Sequence, residues 1–261
     1  MNAAVAKPLD VRLMNMSVLA LVLVFVVLCG VAAVRWVSRL SVFDIVGITV
    51  TGDTAHNNSL TLRANVAPRI AGTFFTVDLA RVRSAFEAAP WVRKAVVRLD
   101  FPNRLLVALQ EHHAVAFWGG GGDLRLINNY GEVFEANVEE VDQDSLPILS
   151  GPDGQGAEVL TMYRALQPMF AQMNLPVEQL ELSGRGSWSV QLAPDASMEL
   201  GRGSVDEVYA RVHRFLKTLT QVVTRYGRAP DALEFADLRH ENGYAIRLRG
   251  VSTAAVDGAK K

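Results

Sequence analysis

The spacing of hydrophobic positions changes several times along the chain, and each change marks an element. Residues 13–34 form a run of 22 without a charge, bracketed by Arg12 and Arg35 and interrupted only by Asn15, Ser17 and Gly30. A helix of this length, rising about 1.5 Å per residue, covers about 33 Å, enough to cross a hydrocarbon core of about 30 Å. The pattern predicts a membrane-spanning helix over 13–34, preceded by a short tail, 1–12. A cleaved signal peptide is the alternative: Gly30, Ala32 and Ala33 are small, but the run exceeds the usual apolar core of about 7–15 residues. Leu28 before Cys29 does not suit a lipid-modified cysteine, which needs a small residue there.

Beyond the span the period falls to two. Val46, Ile48 and Val50 alternate with Gly47, Thr49 and Thr51, and Gly52-Asp53 ends the run, which predicts a half-buried strand and a turn. Residues 59–66 have weak helical character and end near Pro68. A clearer helix follows, with Asp78 as N-cap and Leu79, Val82 and Phe86 on one face; Pro90 closes it. Ala95, Val97 and Leu99 then alternate as a strand. Phe101-Pro102-Asn103 turns the chain back into Leu105, Val107 and Leu109. Strand, helix, helix, strand, strand over residues 43–112 predicts two helices on one face of a small three-stranded sheet.

Residues 113–250 predict a larger, mainly antiparallel β domain with flanking helices, so the fold class is α+β. After Trp118 comes a glycine loop at 119–122. Val159, Tyr163, Leu166, Phe170 and Met173 repeat at helical spacing, with a kink or break expected at Pro168. Trp188, Val190 and Leu192 alternate, Pro194-Asp195 turns, and residues 198–200 return to Gly201-Arg202-Gly203. The strongest helix is next: Ser204 and Glu207 have capping-box spacing. Val205, Val208, Val212, Phe215, Leu219, Val222 and Tyr226 form its stripe, and Gly227 stops it. The last two strands are expected to form a hairpin through Asn242-Gly243. Tyr244, Ile246 and Leu248 should face the core, and Ala245, Arg247 and Arg249 the other side. The small, polar tail, 251–261, is expected to be disordered.

Composition narrows the class. Half of the 261 residues are hydrophobic, so the chain is not disordered for lack of a core, and a net charge of −1 offers no field for nucleic acid. Cys29 is the single cysteine, which excludes an internal disulfide and a cysteine-rich zinc site. Basic residues flank the span on both sides (Lys7 and Arg12 before, Arg35 and Arg39 after), so charge alone barely orients it. The length asymmetry favours a short tail inside and an extracytoplasmic body on one tether.

No reactive constellation stands out. His112 and His113 fall on opposite faces of a strand, and His56, His213 and His240 are scattered, with no HExxH spacing. The glycine loop at 119–122 lacks the Lys-Ser/Thr of a phosphate loop, and Ser187 and Ser189 sit in a strand pattern rather than a nucleophile elbow. Glu139, Glu140, Asp142 and Asp144 read as a solvated acidic loop. The expectation is a non-enzyme without catalytic residues, cofactor, metal or small-molecule substrate.

Several segments carry a family resemblance. Residues 90–98 (PWVRKAVVR) and 101–105 (FPNRL) resemble a POTRA domain, most closely that of the FtsQ/DivIB cell-division family. The strand-turn-strand unit at 126–134 and the LPILSGP stretch at 146–152 resemble the same family. So does Asp237-Leu238-Arg239-His240, where His240 stands in place of the commoner tyrosine. The resemblance implies a divisome scaffold of the inner membrane, single-pass with its N-terminus cytoplasmic, and enriched at the septum. It implies direct partners FtsB and FtsL, and FtsW and FtsI through that complex. The partner contact carries over onto Arg202, Arg239, His240, Asn242, Gly243, Tyr244, Ala245, Ile246 and Arg247. A last strand with unpaired backbone groups offers the means, by templating a strand from the partner. The runner-up is a POTRA-containing envelope assembly or chaperone accessory protein. An anchored hydrolase comes third.

Overall fold

A stretch that is apolar on every side has no reason to curl around a core, and it folds as one long helix, α1 (Leu9–Val37), three residues longer at its C-terminal end than the uncharged run. Within it Leu13–Val37 is long and apolar enough to cross a membrane. The structure is a computed structural model and describes residues 9–57, 62, 66, 68, 70, 72–120, 124–142, 146–240 and 243–251. Much of the expected helix at 59–66, part of the 119–122 loop, Asp144, Asn242 and the tail from 252 onward lie outside the described residues. The chain divides into two units, residues 1–111 and 112–261.

In the first unit, β1 (Gly47–Gly52), α2 (Leu79–Glu87), β2 (Val92–Asp100) and β3 (Arg104–Glu111) follow the alternations read from sequence. Asp78 caps α2 by accepting hydrogen bonds from the amides of Ala80 (2.9 Å) and Arg81 (3.1 Å), satisfying two donors that a helix start leaves orphaned. The strand order is β1-β3-β2. β3 is central, antiparallel to β2 and parallel to β1, with Gly47 opposite Arg104 and Gly52 opposite Leu109. Strict alternation on β3 turns Leu105, Val107 and Leu109 onto the core built by Val82 and Phe86 of α2, and Leu62 and Val66 join them there.

The second unit is one mixed sheet. Its strands are β4 (Ala114–Trp118), β5 (Arg125–Asn128), β6 (Val133–Phe134), β7 (Ile148–Ser150), β8 (Val177–Leu182), β9 (Ser187–Leu192), β10 (Ala196–Arg202), β11 (Leu233–Asp237) and β12 (Ala245–Leu248). They lie in the order β12-β11-β10-β9-β8-β7-β4-β5-β6. Antiparallel pairs predominate, but β10–β11, β7–β8 and β4–β7 are parallel. Two of those pairs are joined through helices, α3 (Gly156–Ala171) and α4 (Val205–Arg225), which pack on each other and on the sheet. Trp188, Phe170 and Phe215 are wholly enclosed between the layers.

Two expectations need correction here. Helix α3 is not broken at Pro168 and runs on to Ala171: the proline forfeits one bond, to the carbonyl of Arg164, and burial of Leu166 and Phe170 on either side outweighs it. The stripe of α4 continues onto Leu216 and Val223 rather than onto Tyr226, which is exposed. The helix ends in a Schellman arrangement, with the Arg228 amide donating to Val223 O and that of Gly227, at φ +65°, to Thr224 O. The last two strands pair antiparallel, with Asp237 opposite Ala245, and Asn242 of the expected Asn242-Gly243 turn lies outside the described residues. The Leu238 amide donates to Glu199 O at 2.8 Å, which draws the chain along β10 after β11 has ended.

Candidate functional site

The end of β10, the polar face of α4 and the β11–β12 connection enclose a groove of about 770 Å³ in the second unit. Its shape starts with glycine. Gly201 takes φ +82°, and a Cβ there would lie 3.2 Å from both Arg211 Nη1 and Arg239 Cγ, so two guanidinium stems close on the β10 backbone where it has no side chain. Arg211 donates to the carbonyls of Leu200 and, at 3.0 Å, Arg202. It thereby holds the Gly-Arg-Gly turn against α4. The capping box fixes the start of that helix: the Glu207 amide donates to Ser204 Oγ (3.4 Å) and the Ser204 amide to Glu207 Oε2 (2.8 Å).

The opposite wall is held by a carboxylate. Asp237 is buried at the end of β11 and accepts from Arg239 Nε (2.9 Å), Arg239 Nη2 (2.6 Å) and the Arg239 amide (3.0 Å). The guanidinium fork keeps the Asp237 carboxyl down at about 2, against an ordinary 3.8. Below it Tyr244 packs edge-on against Phe215 at 4.9 Å and donates its hydroxyl to Thr218 Oγ1 at 2.6 Å.

Charge in the groove is lopsided. Among the described residues Arg202, Arg211, Arg214, Arg239 and His240 line it, against the acid Glu207, itself engaged by the Ser204 amide. Arg211 and Arg239 are committed to the fold. Arg202 and Arg214 make no ion pair among the described residues. The groove can therefore accept acidic side chains from a ligand. Beside it β12 is the terminal strand of the sheet, paired on one side to β11. Ala245 and Arg247 are exposed, Ile246 is half-buried against the core and Leu248 is buried. Arg247 Nη1 lies 3.6 Å from Glu234 Oε1 on β11, an exposed pair of little energetic weight.

Of the residues expected at the site, Arg202, Arg239, His240, Gly243 and Tyr244 line the groove together. Ala245, Ile246 and Arg247 continue from it along β12, and Asn242 lies outside the described residues. Sequence reading did not single out Arg211, Arg214 or Thr218, and it gave Asp237 no role beyond its place in the resembling segment 237–240. Spacing did hold a signal for three of them: Glu207, Arg211, Arg214 and Thr218 recur at four, three and four, a polar stripe on one side of α4.

A second buried carboxylate, Glu111, closes the first unit and has a structural task. It accepts from the amides of His56 (3.0 Å) and Asn57 (2.9 Å) and from Asn57 Nδ2 (2.9 Å), and His56 stacks on Trp91 at 3.9 Å. Burial alone would raise its pKa, but these bonds outweigh burial and hold it below the usual value.

Comparison with known proteins agrees over most of the chain. Residues 43–112 match the family model "POTRA domain, FtsQ-type", and residues 116–239 match "Cell division protein FtsQ/DivIB, C-terminal", which stops short of β12. The protein named Cell division protein FtsQ of Thiomonas arsenitoxydans is 37% identical over 246 residues, covering 94% of this chain and 89% of its own. That of Burkholderia pseudomallei is 38% identical over 243 residues, 93% and 94% respectively. The Escherichia coli protein of that name is 27% identical over 237 residues, 90% and 84%.

Proposed function

The chain belongs to the FtsQ/DivIB family of cell-division proteins, and on that premise we propose that it is a non-enzymatic scaffold of the divisome. In this reading α1 anchors it once in the inner membrane, with the short tail, 1–12, cytoplasmic and the remainder periplasmic, enriched at the septum. The POTRA domain, 43–112, supports recruitment. The β domain, 113–250, binds FtsB and FtsL and through them reaches FtsW and FtsI.

One observation carries the partner assignment: among the described residues β12 is an edge strand, paired on one side, and it lies beside a groove whose Arg202 and Arg214 make no ion pair. Backbone N–H and C=O groups on the outer side of β12 can accept an added strand. Arg202 and Arg214 can then take acidic side chains flanking that strand, bidentately where geometry permits. The contacting residues we assign are Arg202, Arg239, His240, Asn242 and the run from Gly243 to Arg247.

The test uses the full-length chain co-expressed with tagged FtsB and FtsL. Ala245→Lys should abolish co-purification while circular dichroism and the thermal midpoint stay unchanged, because Ala245 is exposed and packs into no core. Co-purification at the wild-type level would show that β12 is not the docking edge. Fluorescence of a full-length fusion in cells depleted of the native protein tests the wider role. A midcell band with filamentation on depletion supports it, and a uniform envelope signal with normal division overturns it.

A further inference from the structure

The end of the first unit nearest α1 carries an aromatic cluster that the proposed function leaves unused. Phe43 meets Phe75 edge-on at 4.9 Å between centroids, Phe75 meets Phe74 at 5.3 Å, and Phe74 meets Phe101 at 5.7 Å. The rings come from three stretches: the segment after α1, the turn before α2, and the β2–β3 turn. This cluster is not core. Phe75 is 56% and Phe101 70% exposed, and Val42 and Val46 in the adjoining chain are exposed as well. A contiguous exposed apolar patch of this kind marks an interaction surface.

Its position is tied to the membrane helix. Thr73 Oγ1 donates to Ser38 O at 2.6 Å, and Ser38 immediately follows the last residue of α1. The Phe74 amide donates to Phe43 O at 2.7 Å, and the Val46 amide to Asn103 O at 3.1 Å, which brings the β2–β3 turn to the same end. Trp36 is exposed at the close of α1, with Arg35 and Arg39 on either side. Tryptophan and basic residues at a helix end are typical of the headgroup layer.

We propose that Phe43, Phe74, Phe75 and Phe101 dock into the headgroup layer of the bilayer in which α1 is anchored, holding the first unit against the membrane surface. The inference rests on reading α1 as a spanning helix. Hydrogen bonding to the first residue outside that helix argues for lipid as occupant, because it keeps the rings at the level where the chain leaves the membrane. Asp44 and Asp100, next in sequence to Phe43 and Phe101, weaken any attraction to anionic lipid, so the contact is apolar and should survive raised salt.

The experiment uses the full-length protein in phosphatidylcholine–phosphatidylglycerol nanodiscs. A Cys29→Ser background carries a fluorophore at either Val46→Cys, beside the cluster, or Arg81→Cys, on the exposed face of α2. A site held in the interface is shielded, so iodide should quench the label at 46 about threefold less than that at 81. Adding Phe75→Ser and Phe101→Ser should raise quenching at 46 to the level at 81. Equal quenching at the two sites with the rings intact overturns the proposal, and so does shielding at 46 that survives the serine replacements. The chain labelled at native Cys29 separates the two readings: an accessible Cys29 sinks the anchor, while a protected Cys29 with an exposed 46 sinks only the docking.

Discussion

The sheet of the second unit ends in two edges, and they are built to opposite effect. At one end β6 has two residues. Asn128, wholly buried, shapes the turn before it by accepting from the amides of Tyr130 (2.9 Å) and Glu132 (3.0 Å). Gly131, at φ +82°, presses onto α3, where a Cβ would lie 2.4 Å from Ala157 Cα, and His112 stacks on Phe134 at 4.0 Å. At the other end β12 has four residues, exposes Ala245 and Arg247, and adjoins a cationic groove. Unpaired edges invite unwanted pairing, and a very short strand blunts that risk. The contrast agrees with the proposal above, in which β12, the longer and more exposed edge, takes the partner.

The contrast can be broken most severely at the closed end. Gly131→Ala puts a Cβ into the α3 backbone and strains a left-handed position, which together should cost about 2–5 kcal/mol. Urea unfolding measures this, and a loss below about 1 kcal/mol would mean that α3 gives way easily. At the open end, Asp237→Asn weakens the clamp on Arg239. The expected loss near neutral pH is about 1–2 kcal/mol, reduced by the exposure of the guanidinium. Its acid dependence is distinctive. The folded-state pKa is lowered, so the stabilisation is full above the ordinary 3.8 and fades as pH falls toward about 2. Urea midpoints across that interval should decline more steeply in the parent chain than in Asp237→Asn.

Smaller effects sharpen the picture. Tyr244→Phe keeps the packing on Phe215 and removes the bond to Thr218, for an expected loss of about 0.5–1.5 kcal/mol. In the absence of partner, Ala245→Lys should shift stability by no more than about 0.5 kcal/mol. A large loss would identify β12 as a structural strand first and a docking edge second.

Elements governed by short-range chemistry were readable from sequence. Asp78 and the Ser204–Glu207 box cap their helices, Gly227 ends α4, and the alternations at 48–50, 105–109 and 188–192 are strands, although Val46, expected to open the first of them, lies outside β1 and is exposed. What escaped depends on distant partners. Alternation cannot say that β1 lies parallel to β3, or that β11 joins β10 in parallel after a crossover through α4. The bond from the Leu238 amide to Glu199 O, which carries the chain along β10 beyond the end of β11, also joins residues far apart in sequence. Arg202 and Arg239, named from the resemblance, line the groove. The holds of Arg211 on the β10 carbonyls and of Asp237 on Arg239 were not legible, because they exist only once α4 lies beside the ends of β10 and β11.

The parallel register of β1 on β3 also decides how the first unit bears a load. Its chain enters from α1 at the start of β1 and leaves at the far end of β3, with Gly47 opposite Arg104 and Gly52 opposite Leu109. If α1 is held in a membrane and the second unit by a partner, as proposed above, tension between them pulls these two strands lengthwise past each other. All the bonds between them are then strained together, rather than opened one after another as in a hairpin peeled from its tip. In single-molecule stretching from residues 47 and 111, the unit should rupture in one step, at higher force than the β2–β3 hairpin pulled from its open end.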